Sequence, residues 1–333
     1  MLQNYKFFIK AFKRCETFLY FAPLKQKYMN LSLEKVALLA RGTLFKRFII
    51  APHRYIYAQC IHKLWFPLMR RGVSAQAKTF FNAPLSMVLP SATDIYLTGG
   101  KTHDSEIRLA EFIINFFNDE NSVNPSQTRD FIDVGAHIGY FSTLVGHLLG
   151  VNGKIIAVEA ACGTFELLSK NTVNFKNITA IHAAATANEG EKLTFYEFPV
   201  LYSEYNSTDI SHYENATFFK KFTPQKVEVL GVTLDNIIEK FNLINPLIKI
   251  DAEGGEAAVV EGLQKNLKGQ SPTIIIEYLR DSSEAHQEAY NKLILAGFKA
   301  FSIEKQGVLQ PLHAPNAYFE RVGLDSDNFV FKK

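Results

Sequence analysis

Residues 129–150 read RDFIDVGAHIGYFSTLVGHLLG. Phe131-Ile132-Asp133-Val134 is an apolar run holding one acid. Gly135 and Gly139 bracket the turn behind it, and over 138–149 apolar residues return at helical spacing. The stretch predicts a strand, a glycine turn and a helix. Working outward, the alternation repeats. KIIAVEA (154–160) precedes GTFELLSKNTVNF (163–175), and ITAIHAA (178–184) precedes a further strand, EKLTFYEF (191–198). VEVLGVTLDNIIEKF (227–241) and PLIKIDAEGGEAAVVEGLQKNL (246–267) are each a strand and a helix. TIIIEYL (273–279), a helix over 283–295, KAFSIE (299–304) and NFVFKK (328–333) follow. Upstream, APLSMVLPSATDIYLTGG (83–100) suggests a short strand or two, and DSEIRLAEFIINFF (104–117) a helix capped by Asp104 or Ser105. Such alternation predicts an α/β fold with a doubly wound, mostly parallel sheet and helices on both faces. The loop at about 200–224 is long and polar-aromatic, and a loop of that length is functional or disordered.

The chain of 333 residues can bury a full core, and 47% hydrophobic and 21% charged residues are ordinary globular values. Its net charge of +3 hides an asymmetry: residues 1–80 hold 15 Lys/Arg against Glu16 and Glu34, so +13 there faces −10 elsewhere. Two parts are expected, a basic helical N-terminal region over 1–83 and the α/β domain over 84–333. In YKFFIKAFKRCETFLYF (5–21), Phe8, Phe12, Cys15 and Leu19 share one helical face, flanked by Lys6, Lys10, Lys13 and Arg14. Two further apolar-plus-basic segments follow. They read as a small packed helical domain, or as a surface for anionic lipid or an anionic substrate. No groove-reading or base-stacking motif accompanies the charge, so nucleic acid is not an expected partner.

Cys15, Cys60 and Cys162 are odd in number, far apart and without metal spacing, which favours a reducing compartment. Lysines interrupt the first apolar run, which is wrong for a secretory h-region. The N-x-S/T tripeptides at Asn30, Asn177, Asn206 and Asn215 are accordingly read as chance. No apolar run reaches the ~20 residues of a membrane span. The expected setting is cytoplasmic, with peripheral contact at the inner face of the membrane through the basic segment.

In an open parallel sheet, ligands bind beyond the carboxyl ends of the strands. Gly135 and Gly139 occupy that edge after the first strand. The turn reads G-A-H-I-G, neither G-x-G-x-x-G nor a loop ending in Gly-Lys-Ser/Thr, so it is not built for a pyrophosphate. Glu159 ends the next strand, 24 residues after Gly135, where a carboxylate can accept both hydroxyls of a ribose. A ribose-bearing ligand without a demanding phosphate cradle points to S-adenosylmethionine.

FIDVGAHIGYFS, IIAVEA, LTFY, VTLDNIIEK and IKIDAEGGEAAVVEG resemble, in order and spacing, the FkbM-type S-adenosylmethionine-dependent methyltransferases. The resemblance covers roughly residues 84–280. It implies a class I methyltransferase sheet of seven strands, the last antiparallel. It also implies O-methylation of a hydroxyl on a sugar, glycan, glycolipid or natural product. By position it implies that Asp133, Gly135, Ala136 and Gly139 shape the place for the methionine part. Glu159 and Ala160 would hold the ribose, Ala183 and Ala184 would border the adenine, and Asp251 would face the methyl-transfer site. The family has a proline after the ribose acid; here Ala160-Ala161 follow. Residues 1–80 lie outside the resemblance.

A hydroxyl is a poor nucleophile at neutral pH, so a base or a metal is wanted. Asp251, Glu253 and Glu256 follow one strand and Glu277 ends the next. Asp251 is the preferred base, with Glu253 and His137 as further catalytic candidates. Glu256 can equally open a helix, His137 can equally serve the turn, Lys249 can pair with the acids, and His182 reads as core. Mg²⁺ held by Asp251, Glu253 and Glu277 is the alternative to a metal-free base and is not favoured. Two other function classes compete: a nucleotide-binding oxidoreductase, and a non-catalytic adaptor acting through the basic segment.

Overall fold

The computed structural model describes residues 22–42, 48–49, 51–118, 130–199, 202–203, 206–208, 210, 219, 222–280 and 284–333. The stretch at 5–21 and most of the 200–224 loop lie outside the described residues. Two helices come first, α1 (Ala22–Ala40) and α2 (Pro52–Cys60), and a π-helical turn, Ile61–Trp65, joins α2 to the short α3 (Phe66–Met69). A hairpin of β1 (Val73–Lys78) and β2 (Pro84–Leu89) follows, then α4 (Thr93–Thr98) and α5 (Asp104–Asn118). The alternating part begins with β3 (Phe131–Val134), α6 (Tyr140–Leu149), β4 (Ile155–Glu159), α7 (Cys162–Thr172) and β5 (Ile178–His182). Three strands, β6 (Ala184–Ala185), β7 (Lys192–Glu197) and β8 (Gln225–Val232), form a separate small sheet in the order β6-β8-β7. The chain continues through α8 (Leu234–Phe241), β9 (Leu247–Ile250), α9 (Glu256–Glu261), α10 (Gln264–Gly269), β10 (Thr273–Leu279) and α11 (Glu284–Leu295). It closes with β11 (Lys299–Ile303), β12 (Leu309–Pro311), α12 (Pro315–Val322) and β13 (Ser326–Lys332).

The central sheet has eight strands in the order β12-β11-β13-β10-β9-β3-β4-β5. β5, β4, β3, β9 and β10 run parallel, and β13 lies antiparallel between β10 and β11. Eight strands replace the seven implied by the resemblance. The addition is β12, three residues pairing antiparallel with the β11 edge, too short to leave a periodic signal in the sequence.

β3, β4 and β9 are buried along their whole length because helices cover both faces. Successive residues therefore enter different cores. Phe131, Ile155, Leu247 and Ile275 pack with α5 and α6 residues such as Ile113 and Leu144. Ile132, Ile156, Ile248 and Ile274 pack on the opposite face with Ile237, Val260 and Leu293. The same period puts Asp133, Lys249 and Glu277 on the α5–α6 face, where apolar residues would otherwise continue.

The expected boundary at residue 83 falls inside the β1–β2 hairpin, and residues 73–78 are strand rather than helix. Phe80, Phe81, Leu85 and Met87 belong to the core shared with α5 and α6. Asn171 of α7 grips the backbone of Ser86 from both sides, at 2.7 and 2.8 Å. α1 also packs on this core, through Met29, Leu33 and Val36. On the far side, Arg108 of α5 is buried against Asp327 of β13 at 2.8 Å, tying the helix layer to the strand that completes the sheet. His182 is exposed rather than core. It ends the edge strand β5, where its ring stacks on Phe165 at 4.7 Å and contacts the Ala160 carbonyl at 3.0 Å.

Candidate active site

A cavity of about 860 Å³ opens at the carboxyl ends of β3, β4, β9 and β10, within the size range of small-molecule sites. Asp133, Gly135, Ala136, His137, Glu159 and Ala160 line one side of it. Ala183 and Ala184 add an apolar wall, and Asp251, Glu253 and Glu277 lie on the remaining side. Gly139 does not line it. Gly139 starts α6 at φ +83°, and a Cβ there would come within 2.7 Å of Leu168, so its place is set by helix packing.

Gly135 is required by its neighbour strand. At φ +68° it approaches the loop after β9 so closely that a Cβ would stand 1.8 Å from the Asp251 carbonyl oxygen. The glycine thus sets the height at which Asp251 enters the cavity, a role beyond admitting a ligand. His137 (φ 53°) and Glu253 (φ 48°) also hold left-handed backbone, rare for side-chain-bearing residues and concentrated at functional turns. Two contacts hold them: the His137 N–H donates to Glu159 Oε2 at 2.8 Å, and the Ser207 hydroxyl donates to the Glu253 carbonyl at 2.6 Å.

Glu159 is 7% exposed. Its Oε1 accepts from Thr164 at 2.7 Å and from the Ala161 N–H at 3.0 Å. Burial pushes its carboxyl up, against these bonds and that from His137. With Oε1 occupied twice and Oε2 once, one acceptor position remains on Oε2. That position is open to a donor in the cavity, which Glu159 lines. Asp133 is more deeply buried. Its Oδ2 accepts from Ser142 at 2.6 Å, while Oδ1 is buried without a hydrogen-bond partner, 3.8 Å from Lys249 Nζ. Asp133 lines the cavity, and this oxygen, ion-paired with Lys249 but short of a hydrogen bond, leaves an acceptor position that fits a donor group of a ligand.

Lys249 is 3% exposed and its ammonium is 3.0 Å from Asp251 Oδ2. Burial opposes its charge, but Asp251 and Asp133 more than restore it, and its pKa is raised. Burial would raise Asp251 too, but Lys249 and Lys101 outweigh it and hold Asp251 ionised, below the usual carboxylate range. Glu277, close by in the same cavity, also lowers Asp251. Glu277 lies one residue past Ile276, which pairs with Ile250 one residue before Asp251, so parallel register puts the two carboxyls side by side. Burial, then the charges of Asp251 and Glu106, push Glu277 up to about 8. At neutral pH the pair holds one proton, on Glu277. His137 is neutral: burial, then Lys101, lower it to about 4, and its Nε2 lies 3.2 Å from Ser203 Oγ. Glu256 serves the turn, its carboxylate accepting from the N–H groups of Ala252 at 3.0 Å and Gly254 at 3.1 Å.

The segment before α5 supplies a wall that sequence reasoning missed. Asp94, Lys101, His103 and Glu106 line the same cavity. Lys101 Nζ pairs with Glu106 Oε1 at 2.7 Å and lies 5.3 Å above the Phe141 ring, which also carries Lys249 at 5.7 Å. The one sequence signal there is the Gly99-Gly100 pair before Lys101. Among the described residues no group of three His, Cys, Asp or Glu is placed to hold a metal ion.

The methyltransferase FkbM domain matches residues 133–300, about half of the chain. The chain belongs to the FkbM methyltransferase family. This FkbM chain has the class I S-adenosylmethionine-dependent methyltransferase fold. It is similar to the crystal structure of methyltransferase FkbM from Methylobacillus flagellatus, at 14% identity and a TM-score of 0.39, covering 73% of this chain and 53% of that chain. Precorrin-6y C5,15-methyltransferase from Geobacter metallireducens gives 11% identity and a TM-score of 0.35, over 70% of this chain and 87% of that chain. Aeropyrum pernix fibrillarin, in complex with natively bound S-adenosyl-L-methionine, gives 10% and 0.34, over 68% and 74%. The chain spans about half the length of the first of these, and no curated protein matches it.

Proposed function

We propose that this FkbM chain transfers a methyl group to a hydroxyl oxygen of a sugar, glycan, glycolipid or natural product. S-adenosylmethionine supplies an electrophilic methyl group on a sulfonium. The residues present fit that cofactor: the orphaned Asp133 Oδ1 suits its ammonium, the remaining acceptor position on Glu159 Oε2 suits a ribose hydroxyl, and Ala183 and Ala184 offer flat apolar surface to a base.

The observation that carries O-methylation is the juxtaposition of Asp251 and Glu277 inside the cavity, with the Lys249 ammonium 3.0 Å from Asp251. Asp251, held ionised by Lys249, accepts the hydrogen bond of the acceptor hydroxyl and orients its oxygen. The hydroxyl proton passes to Asp251, the ionised member, while Glu277 is protonated; where Glu277 is itself ionised, a fraction that grows toward pH 8, the proton settles on Glu277, the member with the higher proton affinity. This works without a metal ion. Asp251→Asn is expected to abolish turnover while S-adenosylmethionine binding, measured by calorimetry, survives; EDTA leaves activity intact. Near-normal turnover by Asp251→Asn removes the proton-transfer reading, and loss in EDTA with recovery in Mg²⁺ replaces it with a metal-assisted one.

The basic segment is proposed to hold the enzyme against an anionic membrane at its cytoplasmic face. Supporting this are the +13 charge of residues 1–80 and the attraction of polybasic segments to anionic lipid. No described helix is long and apolar enough to cross a membrane.

A further inference from the structure

Within α2, the π turn and α3, the buried residues are Ala58, Ile61 and Phe66. The opposite side is apolar and open. Ile56, Cys60, Leu64 and Leu68 recur every four residues, one row along a helix, with exposures of 53%, 69% and 77% for Ile56, Leu64 and Leu68. Trp65 and Met69 adjoin the row, at 44% and 48%. Apolar groups this large, contiguous and uncovered mark an interaction surface. The chain between Glu34 and Asp94 contains no acidic residue, and Lys63, Arg70 and Arg71 are exposed at the end of the row. Apolar side chains flanked by cations compose a helix that lies in the headgroup region of a bilayer. A second copy of this face would bring like charges together, and so would residues 5–21, with Lys6, Lys10, Lys13 and Arg14. An anionic bilayer neutralises them.

The inner side of this helix touches the cavity wall. The Arg54 guanidinium donates to the Tyr96 carbonyl at 3.4 Å and lies 5.5 Å from its ring, and Tyr57 lies 6.3 Å from the same ring. Tyr96 belongs to α4, whose Asp94 and Ile95 line the cavity. We infer that the row from Ile56 to Leu68, with Trp65 and Met69, docks on a bilayer containing anionic lipid and so brings the cavity wall formed by α4 to the lipid headgroups. This rests on the membrane-contact reading above and assigns the contact to one helix face.

Trp65 is the chain's single tryptophan, so its fluorescence reports this face alone. The full chain is mixed with phosphatidylcholine vesicles with and without phosphatidylglycerol, and flotation is combined with quenching by brominated lipid. The expected result is flotation with the anionic vesicles at low salt, release at high salt, and a blue-shifted Trp65 quenched by the bromines. Lys63→Gln and Arg71→Gln each weaken partitioning about fivefold, and Leu64→Glu with Leu68→Glu, both at exposed positions, remove it without changing the far-ultraviolet spectrum. Flotation with Trp65 unquenched overturns this face and leaves the broader membrane reading standing. Absence of flotation overturns both. A Trp65 blue shift that grows with protein concentration without vesicles, and no quenching with them, assigns the face to a second copy instead.

Discussion

Glu277→Gln should make the protein more stable and less active at once. In the native state the Glu277 carboxyl is held at about 8, against an ordinary value of 4.5. An unfolded chain ionises it from 4.5 upward, so the unfolded state binds fewer protons than the native state across that interval. The contribution of the neutral carboxyl to stability is fully present below pH 4.5. It falls as pH rises and is gone above about 8. At about 1.4 kcal/mol per pH unit, that gap sets a ceiling of about 5 kcal/mol, reduced because Asp251 shares the proton. Glutamine is neutral at every pH and close in shape, so the variant lacks this slope. Urea unfolding of both proteins from pH 5 to pH 9 should give similar midpoints at the acid end and an increasing advantage for the variant toward pH 9. Over the same range, wild-type kcat should rise toward a plateau above about 8. The variant's kcat should fall by about 10²–10⁴, the usual contribution of a positioned base, without that rise. A stability difference that is flat in pH would show that Glu277 is ionised in the native protein and would refute the shared-proton geometry. Normal kcat in a variant with the expected stability profile would keep the electrostatics and discard the catalytic role.

Glu159→Ala removes the acceptor for three hydrogen bonds, from His137, Ala161 and Thr164, as well as the ribose contact. S-adenosylmethionine affinity should drop at least about tenfold by calorimetry, the worth of one bond to a charged group, and an unchanged Kd would move the ribose elsewhere. Gly135→Ala puts a methyl group on the Asp251 carbonyl and should cost roughly 3 kcal/mol in denaturant unfolding, at the upper end of single substitutions; a wild-type midpoint would contradict the close approach. Lys249→Met removes the ion-pair partner of Asp133 and Asp251, leaving only the charge of Lys101, and should cost about 3–5 kcal/mol at neutral pH. The deficit should shrink toward pH 4 as the orphaned carboxyls take up protons, and a pH-independent deficit would point to lost packing instead.

The parallel strands were legible because their burial shows as apolar runs: FIDV, IIAVE and IIIEYL leave little choice. Asp133, Gly135, Glu159, Asp251 and Glu277 were legible for a related reason, since strand ends in such a sheet converge on one edge. Lys101 and Glu106 were not. They precede β3 by some thirty residues of chain, and only the docking of α5 on the sheet brings them to Phe141 and Asp251. Gly135 was legible as a turn former, but its contact with the Asp251 carbonyl is a tertiary fact carried by no local pattern. The second strand of the hairpin was expected within 83–100, but the first was hidden by charge: the basic bias of 1–80 runs straight through β1, and only burial separates Ala77 and Phe81 from the exposed helix before them. Ser203, beside His137, falls in a loop without periodicity of any kind.

The position of β13 bears on how the polypeptide leaves the ribosome. Its two partners, β10 and β11, emerge first, yet they are not neighbours, because the seven residues of β13 belong between them. Until Ser326–Lys332 clears the exit tunnel, the nascent sheet carries a strand-wide slot with two unsatisfied backbone edges, and Arg108 has only the half-exposed Asp104 of its own helix and lacks the buried Asp327. Such edges recruit strands from other molecules. A messenger truncated anywhere upstream of β13 would therefore yield a product primed for aggregation or for a chaperone, and completion of the sheet doubles as a check that translation reached this strand.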